Sequence, residues 1–411
     1  MGTTVFRDAT ILDCTGRDPI VGGAVVVSGQ RIEAVGRGDQ VSVPRDARVV
    51  DLGGKTLMPG LIDAHAHMAL VEAKISGFEA LHPGAVYAFS VARNIENTLM
   101  QGYTTIRDAG GCDWSFKLAV ERGLIKGPRM FVSNGVISQT GGHGDHRQRH
   151  NRGDPHQEHP LMAPASIADG VDQVRLAARE QLRTGADQIK VMAGGGAASP
   201  TDAVDDPQYT VEELAAAVYE ARAVKKYVLA HVYVPQGIKN CVEAGVRSIE
   251  HGNFLDEESA SLMKEHGVFL VPTLAIFELV SRHGREYGAP ESMIEKINGI
   301  KDVGPQSLEI AKAIGLKIGS GSDVFGPYAV SRALSLELQA AVLGAMGSII
   351  SATRTNAELL GVADDIGTLE PGKLADLIVI DGDPLADISI LQDKKNVNLV
   401  MQSGRVVKGG I

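Results

Sequence analysis

A chain of 411 residues with a formal charge of −10 is long enough for one large domain plus a smaller one, or for two or three of medium size. It carries no basic run, which argues against nucleic acid or an anionic membrane as a partner, and no apolar stretch reaches the roughly 20 residues of a transmembrane helix. Cys14, Cys112 and Cys241 lie far apart without CxxC spacing and read as reduced thiols of a cytoplasmic protein, not as a disulfide scaffold.

The opening "MGTTVFRDATILDCTG" alternates apolar and polar residues and lacks the basic start and continuous apolar core of a signal peptide. Residues 1–57 continue as short strands with Gly-Asp turn signals, a small antiparallel unit. Residues 58–360 then alternate apolar strands with amphipathic helices. The strand candidates are "LMPGLIDAHAH", "YTTIRDAG", "RMFVSNGVI", "QIKVMAGG", "YVLAHVY", "SIEHG", "VFLVPTL" and "KIGSGSD". "TVEELAAAVYEARAVKK" and "VPQGIKNCVEAG" are representative helices. Eight such units over roughly 300 residues predict an α/β fold of the (β/α)8 TIM-barrel class. A doubly wound open sheet is the runner-up, but no GxGxxG follows the first strand. Residues 361–411 return to strand patterns, as in "GKLADLIVID" and "NVNLVMQSGRVV". Neither end buries much core alone, so the two are expected to pair as a composite β-sandwich with the barrel inserted between them.

The ionisable residues fall at the strand ends. His65 and His67 in "GLIDAHAHM" project from one face by the two-residue strand period. Lys190 ends the apolar part of the fourth strand, His231 the fifth, His251 the sixth and Asp323 the eighth. The carboxyl ends of barrel strands share one mouth, so these side chains are expected to converge there.

With these residues in place, the chain resembles the metal-dependent amidohydrolase superfamily, in the subtype with two metals bridged by a carboxylated lysine. The resemblance spans nearly the whole chain. It implies that His65, His67 and Asp323 bind the more buried ion, that His231 and His251 bind the more exposed one, and that carboxylated Lys190 bridges them. Imidazole and carboxylate suit zinc-like ions. An ammonium repels a cation, whereas the carbamate formed by a neutral lysine and CO2 is a long-armed carboxylate. Two divalent ions acidify a water and polarise a carbonyl, and Asp323 is then expected to carry the water's proton to the leaving amine.

"GYTTIRDAGG", "KVMAGGG", "AHVYVPQGIKNCVEAGVRSIEHGNF" and "GTLEPGKLADLIVID" are most similar to the imidazolonepropionase-related branch. That branch includes prolidase-like and Xaa-Arg/Lys dipeptidases and ochratoxin-type amidohydrolases. Lys190 argues for its binuclear members. The resemblance thus implies a small-molecule substrate, an amide of a C-terminal amino acid, and a homo-oligomeric assembly. Xaa-Pro is the preferred dipeptide class; Asp202, Asp205 and Asp206 would suit a cationic residue instead. Tyr233 is a candidate for holding the substrate carboxylate, and His143 for polarising the scissile carbonyl or its oxyanion. In the polar loop 143–160, His146, Arg147, His150, Arg149 and Arg152 form either a carboxylate clamp or a solvated segment. Tyr328 and Arg332 are weaker candidates. Rival classes are a cyclic-amide hydrolase or lactonase, a mononuclear deaminase, and a non-enzymatic scaffold of the same fold.

Overall fold

The computed structural model describes residues 2–73, 83–151, 153 and 161–410; Arg152 and residues 154–160 of the polar loop lie outside them. The N-terminal alternation forms β1 (Thr3–Ile11), β2 (Ile20–Ser28), β3 (Arg31–Arg37), β4 (Arg48–Asp51) and β5 (Thr56–Pro59). The parallel strands follow: β6 (Leu61–Ala66), β7 (Tyr103–Asp108), β8 (Arg129–Val132), β9 (Val136–Ser138), β10 (Ser166–Ile167), β11 (Ile189–Met192), β12 (Val228–Val232), β13 (Ser248–His251) and β14 (Phe269–Val271). Between them run α1 (Gly84–Met100), α2 (Trp114–Glu121), α3 (Gly170–Arg183), α4 (Val211–Ala223), α5 (Pro235–Ala244) and α6 (Glu257–Glu265). After β14 come α7 (Leu274–Tyr287), α8 (Glu291–Ile300) and α9 (Gly304–Ile314), where one helix would suffice for a β/α unit.

Local chemistry sets these limits. Thr210 and Glu213 form a reciprocal capping box that starts α4, satisfying two backbone N–H groups the helix would otherwise leave open. On β11 to β13 the outward residues Ile189, Val191, Ala230, Val232 and Ile249 pack against the helices in one apolar core. The alternate residues Lys190, His231 and Glu250 therefore face the barrel axis, buried like their neighbours.

The parallel strands form two runs, β6-β7-β8 and β10-β9-β11-β12-β13-β14. Hydrogen bonds join the runs into a ring. Asp187 N donates to Val132 O at 2.7 Å, Gly319 N to Leu270 O at 2.8 Å, and Ala64 N to Ser320 O at 2.9 Å. The expected eighth strand, "KIGSGSD", is thus present as a connecting segment with a single bridge, Leu270–Ile318, instead of a regular strand. Its glycines explain this. A Cβ on Gly321 would stand 2.5 Å from His65 Cβ and 2.7 Å from Val271 Cγ1, so only glycine lets the segment close the ring.

The C-terminal β15 (Leu377–Ile380), β16 (Val397–Gln402) and β17 (Arg405–Lys408) complete one eight-stranded sheet, ordered β17-β16-β15-β5-β1-β2-β3 with β4 on β1. The chain ends meet at β5 and β15, where Leu57 pairs with Val379 and Met58 with Ile378. The strand period divides the two faces. Leu57, Leu377 and Val379 join Phe6, Val25 and Val27 in the sheet's own core, while Met58, Ile378 and Ile380 pack on Leu61, Leu99 and Tyr103 of the barrel. Among the described residues no helix is long and apolar enough to cross a membrane.

Candidate active site

The barrel brings the six candidate ligands to one mouth. His65, on β6, and His67, just past its end, have ring centroids 5.3 Å apart; His65 and His251 lie at 4.9 Å, and His231 and His251 at 4.4 Å. Asp323 Oδ1 stands 3.1 Å from His67 Nε2 and 3.6 Å from His65 Nε2. The donor atoms of His65, His67 and Asp323 lie within 4.8 Å of one another, close enough to hold one cation.

Each imidazole has one nitrogen engaged by the protein. His65 Nδ1 meets Glu250 Oε2 at 2.7 Å, His67 Nδ1 the carbonyl of Gly110 at 2.8 Å, His251 Nδ1 the Thr273 hydroxyl at 2.6 Å, and His231 Nε2 the carbonyl of Gly195 at 3.1 Å. At His65 and His231 the carboxylate and carbonyl acceptors fix a donating N–H on that side, which leaves a lone pair on the other nitrogen of the neutral ring, whereas His67 Nε2 meets Asp323. Burial, reinforced by neighbouring cationic groups, holds His65, His231 and His251 well below the ordinary imidazole range, as neutral ligands require. For His67 burial pulls the same way, but the hydrogen bond and charge of Asp323 outweigh it and raise the ring. Lys190 is 1% exposed, and burial pushes its amine down to about 8. This donor set fits divalent metal. Backbone strain supports the same reading: His251 and Asp323 adopt φ of 73° and 57°, left-handed values that side chains rarely take without a constraint.

Beneath the ligands lies a buried network that the strand reading did not single out. Arg107 on β7 donates from Nη2 to Glu250 Oε1 at 2.7 Å and Oε2 at 2.9 Å, from Nη1 to Ser248 Oγ at 3.0 Å, and from Nε to Ala64 O at 2.6 Å. Glu250 thereby orients His65 while itself neutralised. Asp108 accepts from the backbone N–H groups of Met68, Gly110 and Cys112 and shapes the turn that carries His67; burial pushes its carboxyl up to about 6. Asp63 accepts from Ser322 N at 3.0 Å and pairs with buried Arg332, tying β6 to the segment bearing Asp323. The only sequence signal for these groups is a charge inside an otherwise apolar strand.

A cavity of about 120 Å³ opens on the cluster. It is lined by the six candidate ligands, by His143, His146 and Tyr233, and by apolar side chains including Leu70, Ile276, Phe277, Met293, Ile297 and Phe325. His143 stacks on His231 at 4.2 Å, and Tyr233 sits edge-on to His231 at 4.8 Å. Other candidates stand elsewhere. Asp202, Asp205 and Asp206 do not line the cavity, and Asp202 is buried among loop donors. Arg147 pairs with Asp145, and Arg149 and His150 are exposed and off the cavity wall. Tyr328 packs in the apolar cluster with Phe325, and Arg332 holds Asp63.

Known proteins agree with this architecture. Residues 56–407 match the amidohydrolase family. The chain is 34% identical to ochratoxinase of Aspergillus niger over 413 residues, covering 95% of this chain and 84% of that protein. A crystal structure of a prolidase complexed with N-methylphosphonate-L-proline superposes with a TM-score of 0.94 at 40% identity, covering 99% of this chain and 100% of that one. An Xaa-Pro dipeptidase with methionine bound in its active site gives 0.89 at 29% identity, with coverage of 99% and 100%. The chain therefore belongs to the amidohydrolase family and is an enzyme acting as an amidohydrolase.

Proposed function

We propose that this amidohydrolase is a binuclear dipeptidase that cleaves the amide bond to a C-terminal amino acid, with Xaa-Pro as its preferred class. The observation that carries the substrate class is the composition of the cavity. The reactive cluster faces Ile276, Phe277, Met293, Ile297 and Phe325, with no acidic side chain among the described lining residues except Asp323. An apolar ring such as proline matches that wall, whereas a cationic side chain would be desolvated there without a partner. The similarity to a solved prolidase supports the same choice. The 34% identity to an ochratoxinase favours a second reading, an N-acyl-amino-acid amide of the ochratoxin type.

In this reading His65, His67 and Asp323 would hold one ion and His231 and His251 the other, with Lys190, carboxylated, as a shared ligand and zinc as the metal. When bound, two such ions supply an acidified water and a Lewis acid for the scissile carbonyl. Asp323 takes the water's proton and passes it to the leaving nitrogen. Tyr233, held against His231 and His251 with its phenol kept protonated by burial, donates to the substrate carboxylate. His143 contacts the substrate from the wall beside His231.

Zinc-loaded protein is expected to release free proline from an Xaa-Pro library, to stop on chelation and to recover on readdition of zinc. Inert dipeptides alongside turnover of a hydantoin or a lactone would overturn the choice. Ile297→Asp, which places a charge in the apolar wall, is expected to cut kcat/KM for apolar dipeptides by about tenfold or more. An unchanged value would remove the wall from substrate recognition.

A further inference from the structure

α8 is an addition to the single helix that a β/α unit needs, yet it reaches the cavity. It lies so close along α7 that a Cβ on Gly284 would stand 2.9 Å from Ile294 Cγ1. Met293 and Ile297, at i and i+4 on one face of α8, line the cavity. Ala197 and Ala198, from the loop after β11, line it too, and Ala197 shares one apolar cluster with Met293 and Ile297. Two segments distant in sequence thus build part of one wall.

Lys296 joins them. Its ammonium donates to the carbonyls of Gly196 at 3.0 Å, Ser199 at 2.9 Å and Asp202 at 2.7 Å, so its three protons are all spent on the loop. The first two of those carbonyls bracket Ala197 and Ala198. Asp202 adds charge, with Oδ1 at 3.6 Å from Nζ. That carboxylate is itself held within the loop, where Oδ2 accepts from Gly196 N and Gln208 Nε2 at 3.1 Å each. Asp202 therefore closes the loop on itself, and Lys296 fastens it to α8. Three carbonyls converging on one atom suit a compact ammonium, whereas a planar guanidinium spreads its donors. Alanine methyls give α8 little to interlock with, so the ammonium sets how far Met293 and Ile297 stand from the loop.

We infer that Lys296 is a positioning residue that sets the width of the apolar wall, and through it the size of the C-terminal residue that the enzyme accepts. Neither Lys296 nor Asp202 lines the cavity, so the effect passes through Met293, Ile297, Ala197 and Ala198. The link to the C-terminal residue rests on the dipeptidase reading; the clip between loop and helix does not.

Alanyl-proline and alanyl-phenylalanine form the test pair for the zinc-loaded enzyme. Lys296→Met keeps the stem and loses the ammonium. It is expected to raise KM for alanyl-proline about tenfold with kcat changed less than about twofold, because a loosened wall weakens binding and leaves the reacting groups in place. Alanyl-phenylalanine should lose less than about twofold in kcat/KM. Equal losses on both substrates, or a loss confined to kcat, would reduce Lys296 to a structural role and overturn the assignment. In Lys296→Ala, propylammonium returns N–H donors to the vacated channel and is expected to restore part of the alanyl-proline activity. Tetramethylammonium, which has no N–H, should not; equal responses to the two salts would overturn the clip. Hydrogen exchange reads the clip without turnover. Lys296→Met should speed exchange about tenfold or more both in residues 195–203 and in α8, and unchanged rates in either segment would overturn it. A wild-type enzyme that cleaves neither compound would refute the dipeptidase reading and the size selection with it, while exchange still decides the clip.

Discussion

Lys190→Ala is expected to reduce kcat/KM by at least about 10²–10³, the scale on which a site loses preorganised electrostatic stabilisation. Lys190 is 1% exposed and its amine is pushed down to about 8, so a neutral, nucleophilic fraction is accessible near neutral pH. In the proposed reading, attack of that nitrogen on CO2 would form an N–C bond, release a proton and turn a potential cation into an anion between the two histidine pairs. Alanine would remove that proposed bridge. Metal analysis should then show fewer than two equivalents, and acetate or propionate, which return a carboxylate to the vacated space, should restore part of the activity. Full activity with two ions retained in the variant would overturn the bridging role.

Glu250→Gln is expected to destabilise the protein by about 3–5 kcal/mol, because it leaves Arg107 as a buried charge without its partner. Both side chains are fully buried and joined by two hydrogen bonds of 2.7 and 2.9 Å. The same change weakens the acceptor on His65 Nδ1, so metal affinity is expected to fall about 10–100-fold. Thermal unfolding in chelator isolates the first effect, and metal titration the second. A double variant, Arg107→Met with Glu250→Leu, should regain stability without regaining metal affinity, since apolar pairs of similar volume replace buried ion pairs at little cost. An unchanged melting midpoint for Glu250→Gln would show that Arg107 finds another acceptor.

Both experiments turn on residues that differ in how visible they are along the chain. His65, His67, Lys190 and His231 are polar residues at inward positions of apolar strands, so the two-residue period was enough to bring them together. Glu250 escaped because it sits beside His251 in "SIEHG". Strict alternation would put one of them outside the barrel, yet the left-handed φ of 73° at His251 turns both toward the axis. No periodicity encodes that rotation. The eighth strand reads as regular because "KIGSGSD" has the right length, whereas its glycines serve close approach to His65 instead of ladder pairing. Lys296 is invisible along the chain for a different reason: it reaches the carbonyls of Gly196, Ser199 and Asp202 from a helix 94 to 100 residues further along.

The junction of β5 with β15 has a consequence for how the polypeptide reaches its native state. β15 lies in the interior of the eight-stranded sheet, yet it is made some 320 residues after its neighbour: Met58 waits for Ile378. During synthesis β5 must persist as an unsatisfied edge until the ribosome has delivered almost everything else, so maturation is expected to be slow and dependent on protection from self-association. Nascent chains arrested before residue 377 should accumulate as aggregates or chaperone-bound species, and those released after residue 402 should not.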